Sequence, residues 1–158
     1  MIPSLLIGLV AGARAMTPFT VVSDAAASGS LPADNGAPRW LGRPSAALFA
    51  KLAAAGELMG DKQASAPDRT VAPGLIVRAM TGALAGAALA PRRQAIGGAV
   101  LGGLAAIGAS YVTLALRKQA MARFGQTPTG LVEDALCLAL ARHALCQAAD
   151  RPLAPARR

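Results

Sequence analysis

Residues 94–116 read QAIGGAVLGGLAAIGASYVTLAL, 23 consecutive positions without a charge. As a helix rising 1.5 Å per residue this stretch is about 35 Å long, enough to cross a hydrocarbon core of roughly 30 Å. Arg92 and Arg93 stand before it and Arg117 and Lys118 after it, as basic anchors flank a span at the headgroups. Inside the run, Gly and Ala leave little side chain for neighbours to pack against. In lipid, helices gain little from hydrophobic exclusion, and small residues let their backbones approach closely. The stretch therefore predicts a membrane helix in a tightly packed bundle.

Further segments appear on either side. Thr70–Ala90 is a second span, interrupted by Arg78, with Pro73 in its first turn where a missing N–H costs little. Pro128 opens a third, Gly130–Ala149, which carries Glu133, Asp134, Arg142 and His143. Pro44–Gly60 is shorter, holds Lys51 and Glu57, and either crosses the membrane or dips into it. The N-terminal segment begins near Ile2. Pro18 cannot donate to the carbonyl of Arg14, so a kink or break is expected between Arg14 and Pro18. Residues 1–13 lack a basic region before their short apolar run, which favours a retained helix over a cleaved leader. Ser28–Arg43 and Asp61–Val71 are polar loops, the first with Trp40 suited to a membrane interface. The expected organisation is one helical domain over residues 1–150, then a basic tail over 151–158.

Composition agrees with that pattern. Of 158 residues, 54% are hydrophobic, 15% charged and 3% aromatic, with 39 Ala and 17 Gly. A disordered chain would be poorer in hydrophobics, and two cysteines are too few for a disulfide-stapled domain. The net charge of +8 comes from basic residues scattered between apolar segments, with few aromatics for stacking. This argues against nucleic acid and for anionic lipid headgroups as the partner. The predicted fold is all-α, a polytopic membrane helical bundle of about four to six short Gly/Ala-rich helices, one broken or re-entrant.

Four segments carry Gly at four-residue spacing: Gly8 and Gly12, Gly56 and Gly60, Gly82 and Gly86, Gly98 and Gly102. They are the expected helix-packing positions. Arg14-Ala15-Met16-Thr17 recurs as Arg78-Ala79-Met80-Thr81, an echo of the kind inverted-repeat membrane proteins carry. A charge deep in a membrane needs a partner or a wet cavity. Glu57 and Asp61, spaced i, i+4, share one helix face, and Arg14 and Arg78 are the cations expected to pair with them. Glu133 is a further acid. Two readings of this cluster stand: a proton or solute pathway, or an ion-pair network that fixes helix register. Glu133 and Asp134 also follow Pro128 by about one turn, where acids complement the helix dipole. Asp61, Lys62, Asp68 and Arg69 flank a Pro-containing loop and read as solvated.

Cys137 and Cys146 lie nine residues apart, on opposite sides of a helix, so they neither pair nor share a metal there. His143 and Cys146 share a face, but two ligands do not make a zinc site. No nucleophile–base pair, phosphate-binding loop or dinucleotide fingerprint is legible. No enzyme activity, metal or cofactor is therefore expected.

Several blocks together resemble a family. Gly12-Ala13-Arg14-Ala15-Met16-Thr17-Pro18, Gly56-Glu57-Leu58-Met59-Gly60-Asp61-Lys62, and Pro67-Asp68-Arg69-Thr70 resemble signatures of the small bacterial membrane proteins called domain of unknown function 4126. Pro73-Gly74-Leu75 through Arg78 to Gly86, and Leu131-Val132-Glu133-Asp134-Ala135-Leu136, continue the likeness, which runs from Ile2 to Leu140. The resemblance implies a multi-pass protein of the bacterial inner membrane and transfers no activity. Asp24 departs from it by standing where family members tend to carry an aromatic, which implies a wetter first segment. Arg142 and His143 make the last span more polar than the family pattern.

Two functions follow from these expectations. One is a small channel or transporter for ions or small solutes, with Arg14, Glu57, Asp61 and Arg78 along the pathway and Glu133 beside them. A chain this small would need to form a homo-oligomer to enclose such a pathway. The other is a non-transporting scaffold or assembly protein whose buried charges only hold the bundle together.

Overall fold

Proline marks where helices of this chain start. Pro3 and Pro73 stand at the first or second position of their helices, where an N–H would have no intrahelical partner. The computed structural model describes residues 1–60 and 71–151. It contains six α-helices: α1 (Ile2–Ala13), α2 (Met16–Ala27), α3 (Pro44–Gly60), α4 (Ala72–Leu89), α5 (Ala95–Phe124) and α6 (Gln126–Ala149). Short 3₁₀ turns at Arg39–Gly42 and Arg92–Gln94 lead into α3 and α5. No strand occurs among the described residues, so the fold is all-α. Two stretches, Ala72–Leu89 and Arg92–Phe124, are long and apolar enough to cross a membrane. Asp61 and residues 152–158 of the basic tail lie outside the described residues.

The break expected near Pro18 separates α1 from α2. Arg14 is extended (φ −136°, ψ 106°), and Pro18 is the third residue of α2, so the Arg14 carbonyl is released from the helix ladder. The chain then doubles back. Ser4 Oγ donates to Gly86 O at 2.8 Å near one end of α4. After α2 the loop returns to that same end, where Gly36 N–H donates to Ala90 O at 3.0 Å. Thus α1 and α2 form a hairpin of two short helices with Arg14 and Ala15 at the tip.

Two expected boundaries move. The long span does not stop at Leu116: α5 runs through Arg117 and Lys118 to Phe124. Arg and Lys are good helix formers, and the helix ends only where Gly125 takes a positive φ of 82°. Gly125 alone links α5 to α6, which begins at Gln126 rather than at Pro128. Glu133 and Asp134 therefore lie well past the first turn of α6, which holds no acid. The dipole explanation for them fails on that geometry, because the helix-end field fades within a turn.

The core is the three-helix packing of α1, α4 and α5. A Cβ on Gly102 would strike the Gly82 carbonyl, and one on Gly86 would strike the Gly98 carbonyl, so α4 and α5 touch backbone to backbone. Gly8 sits equally close to Gly102, and a Cβ on Gly12 would lie 2.5 Å from that of Ala109. Six of the expected packing glycines, Gly8, Gly12, Gly82, Gly86, Gly98 and Gly102, occupy these contacts. Gly56 does not: among the described residues nothing lies within 4 Å of its missing Cβ, because α3 packs outside this core, on α2 and the Arg39–Gly42 turn. Gly60 ends α3.

Large apolar side chains point the other way. Ile96 is 83% exposed, and Leu104, Val112 and Leu116 are also exposed along α5, as are Ile76 and Met80 on α4. Only 33% of the apolar window in α4 and 28% of that in Arg92–Phe124 are buried. Along α4 and α5 the small residues face inward and most bulky ones outward, with Leu89 a buried exception. A water-soluble core helix shows the reverse, and soluble monomers rarely expose apolar patches beyond a few hundred Å².

Candidate functional site

The hairpin tip brings the buried charges together. Arg14, with a side chain only 4% exposed, projects from the extended residue between α1 and α2. Its Nε lies 2.6 Å from Asp134 Oδ1 of α6, an ion pair rather than a straight hydrogen bond. One of its terminal nitrogens stands 3.9 Å from Glu133 Oε2. That same oxygen accepts a hydrogen bond from Arg117 of α5 at 3.1 Å. Glu133 thus joins two arginines from two helices.

Glu57 works on the other side of the tip. Its Oε1 accepts from Ala15 N–H at 2.9 Å and its Oε2 from Met16 N–H at 3.0 Å. These N–H groups open α2 and have no partner within the helix, and the helix dipole favours an anion there. Arg78, buried within α4, reaches Glu57 Oε1 at 3.9 Å and its own Gly74 carbonyl at 3.4 Å. So Arg78 does meet Glu57. Arg14 meets the α6 acids instead, because its hairpin turns it toward α6 while presenting the following N–H groups to α3.

The two Arg-Ala-Met-Thr copies land in different local structures, one at the helix break and one inside α4. In both, the arginine is matched by an acid from the other set of three helices, Arg14 by Asp134 of α6 and Arg78 of α4 by Glu57 of α3. Arg117, Glu133, Asp134 and Glu57 all retain some exposure, whereas Arg14 and Arg78 are buried.

A cavity of about 220 Å³ opens against this cluster. Arg14, Glu57 and Asp134 form its charged end, and Thr17, Thr20, Val21, Ala54 and Leu138 its sides. Thr20, Val21 and Leu138 also border a second, larger space of about 580 Å³, which continues along α2 and α6 past Asp24 and Arg142 to Ser28 and Ser30. The two spaces lie side by side, sharing Thr20, Val21 and Leu138 in their walls, between the ion cluster and the far end of α2. Asp24 is held at its rim by Lys51, 2.9 Å away on α3. The wetter first segment implied by Asp24 therefore corresponds to a polar stripe, Thr17, Thr20, Asp24 and Ser28, along one face of α2.

Sequence reasoning missed three contributors. Arg117 reads as an interfacial anchor, because it ends a charge-free run, yet it pairs with Glu133. Asp134 reads as a dipole group, yet it is the ion-pair partner of Arg14. The α2 stripe had a legible signal in its spacing of three, four and four residues, which places all four polar groups on one helix face. No group of three or more metal-ligating side chains occurs among the described residues. Cys137 is buried and Cys146 exposed, both as free thiols.

No curated protein and no solved structure matches the chain. A family model does, over residues 2–147, which takes in the hairpin, the glycine core and every charged residue of the cluster. The chain belongs to the family described as Domain of unknown function (DUF4126).

Proposed function

We propose that this is a multi-pass protein of the bacterial inner membrane, and that the groove between α2, α3 and α6 is the solute path of a small channel or transporter. One observation carries the reading. A cavity lined by three charged side chains, Arg14, Glu57 and Asp134, stands at the tip of a broken helix pair and shares a wall with a second space along α2. A charge near the bilayer centre costs about 2.5–3.5 kcal/mol on insertion scales, and a wet cavity relieves that cost. Discontinuous helices place backbone groups and charges beside a solute in many transporters. The outward-facing bulk of α4 and α5 supports lipid as the surrounding medium. On this reading the protein performs no bond-making chemistry, needs no cofactor, does not bind nucleic acid and forms a homo-oligomer to complete the path.

Purified protein in liposomes tests it. Proton, potassium and chloride movement is read under an imposed potential, and uptake of small uncharged solutes by osmotic swelling. The expected result is movement of at least one of these above protein-free liposomes. Glu57→Gln and Asp134→Asn should bring it to background with the elution volume in detergent unchanged. Background flux throughout the panel would overturn conduction. Retention of the protein in membranes washed at high pH tests the location separately.

A second reading has its own support. Three arginines, Arg14, Arg78 and Arg117, stand against three carboxylates, Glu57, Glu133 and Asp134, a balance that suits a structural network in a scaffold. Under that reading Glu57→Gln aggregates in detergent instead of staying folded and silent.

A further inference from the structure

The cavity at the hairpin tip offers a guest acceptors rather than donors. Its polar side chains are Arg14, Thr17, Thr20, Glu57 and Asp134. Arg14 is the one cation in that lining, and little of it is open to a guest: its side chain is 4% exposed and faces Asp134 and Glu133. The two carboxylates keep more surface, 33% for Asp134 and 17% for Glu57. The Ala15 and Met16 N–H groups, which could hold an anion at the start of α2, already bond Glu57. Thr20 donates its proton to backbone carbonyls, which leaves its oxygen as an acceptor. The donors are thus engaged by the protein itself, and two carboxylates against one guanidinium leave the lining negative.

The rest of the wall is apolar, formed by Val21, Ala54 and Leu138. An apolar cavity of about 150 Å³ takes up benzene, so this one of about 220 Å³ has room for about eight non-hydrogen atoms. We infer that the cavity binds a small primary alkylammonium ion, its head among Glu57, Asp134 and the Thr20 oxygen and its chain against Val21, Ala54 and Leu138. An ammonium carries three donors and no acceptor, which suits this wall, whereas a carboxylate or phosphate finds its donors taken. Potassium brings the charge without the alkyl body. It enters the same acceptors more weakly and still moves under a potential, while chloride does not. A transport role for the ion rests on the cavity being the solute site proposed above. Binding is read at equilibrium without any transport, so the two can fail separately.

Calorimetric titration of the full chain in detergent, against micelles alone, tests it. Butylammonium is the probe, and butyrate, butanol and potassium are the controls at one ionic strength. Butylammonium should bind about tenfold more tightly than each control, the effect of one charge-assisted hydrogen bond or two buried methylenes. Affinity should rise about fourfold per methylene from methylammonium to butylammonium. Asp134→Asn should weaken butylammonium at least about tenfold. Ala54→Leu keeps every charge and fills the cavity, so it should do the same, and it carries the test if Asp134→Asn does not fold. Butyrate or potassium binding as tightly as butylammonium overturns the assignment, as does no butylammonium binding at all. An affinity that is flat along the series, or unchanged in Ala54→Leu, puts the ion outside the cavity and overturns it too. Butylammonium binding without flux in liposomes keeps the site and removes the path. Potassium flux without butylammonium binding keeps the path and removes the site.

Discussion

The α1–α4–α5 side of the molecule and the α2–α3–α6 side are built on opposite terms. On the first, glycines bring backbones into direct contact, and hydroxyls bond backbone carbonyls: Ser110 and Thr113 donate to carbonyls four residues back, each at 2.7 Å, and Ser4 of α1 donates to Gly86 O of α4. On the second, helices stand far enough apart to leave a groove, and charges bridge the gap. Close packing leaves no room for water or movement, whereas ion pairs across a cavity can be exchanged for other partners. A fold that binds or conducts needs both, a rigid body and a wall that can change.

The sharpest test of the rigid side is Gly102. Its Cβ would meet the Gly82 carbonyl and the Gly86 backbone at once, neither of which is the end of a flexible side chain. Gly102→Ala should cost about 3 kcal/mol, the upper end of overpacking in a dense core. Gly102→Leu should yield no folded protein. Thermal midpoints in a single detergent read the first, and the monodisperse fraction on size exclusion reads the second. A stable Gly102→Leu protein would mean that α4 and α5 do not touch as described.

On the ionic side the largest effect belongs to Arg14. Arg14→Met leaves Asp134 and Glu133 short of a buried cation and should cost about 3 kcal/mol, as breaking a buried pair does. Asp134→Asn added to it should restore at least about 1 kcal/mol relative to the sum of the single losses, since the residues are in contact. Strict additivity of the two substitutions would show that the 2.6 Å approach carries no coupling.

How much of this was legible in the sequence differs between the two sides for a physical reason. The glycine core follows from spacing along single helices, and the break between α1 and α2 from a missing N–H at Pro18, both local facts. The span Gln94–Leu116 was foreseen, but the extension of its helix to Phe124 was not, because charge alone does not stop a helix. The ionic side depends on which helix faces which, and spacing along one helix does not contain that. Arg117 and Glu133 are 16 residues apart across a tight turn, and Arg14 and Asp134 are joined only by the folded hairpin. Glu57 was singled out for its charge, yet its bond to the start of α2 required knowing where α2 starts in space.

Thr20 probes the groove with a smaller change. Its hydroxyl donates to Met16 O at 2.9 Å and approaches Ala50 O at 3.2 Å, while its side chain borders both parts of the groove. Thr20→Val keeps the shape and removes the polar edge. It should cost at most about 1 kcal/mol of stability, the ordinary worth of one hydrogen bond. If the groove carries solute, flux in liposomes should fall by more than that small loss of stability explains. Equal flux in the two proteins would place the path elsewhere than along the α2 stripe.

The smallest expected effect is also the cleanest comparison. Gly56 has the same four-residue spacing as the core glycines but sits on α3, where no described residue comes within 4 Å of its missing Cβ. There the only consequences of glycine are its low helix propensity and the entropy of the unfolded chain. Gly56→Ala should therefore stabilise the protein by about 0.5–1 kcal/mol, where Gly102→Ala destabilises it. Opposite signs for one substitution at two glycines of one spacing pattern would separate packing from propensity directly. A loss at Gly56 comparable to that at Gly102 would mean that α3 meets a close partner in the assembled protein, and a second copy of the chain would be the first place to look.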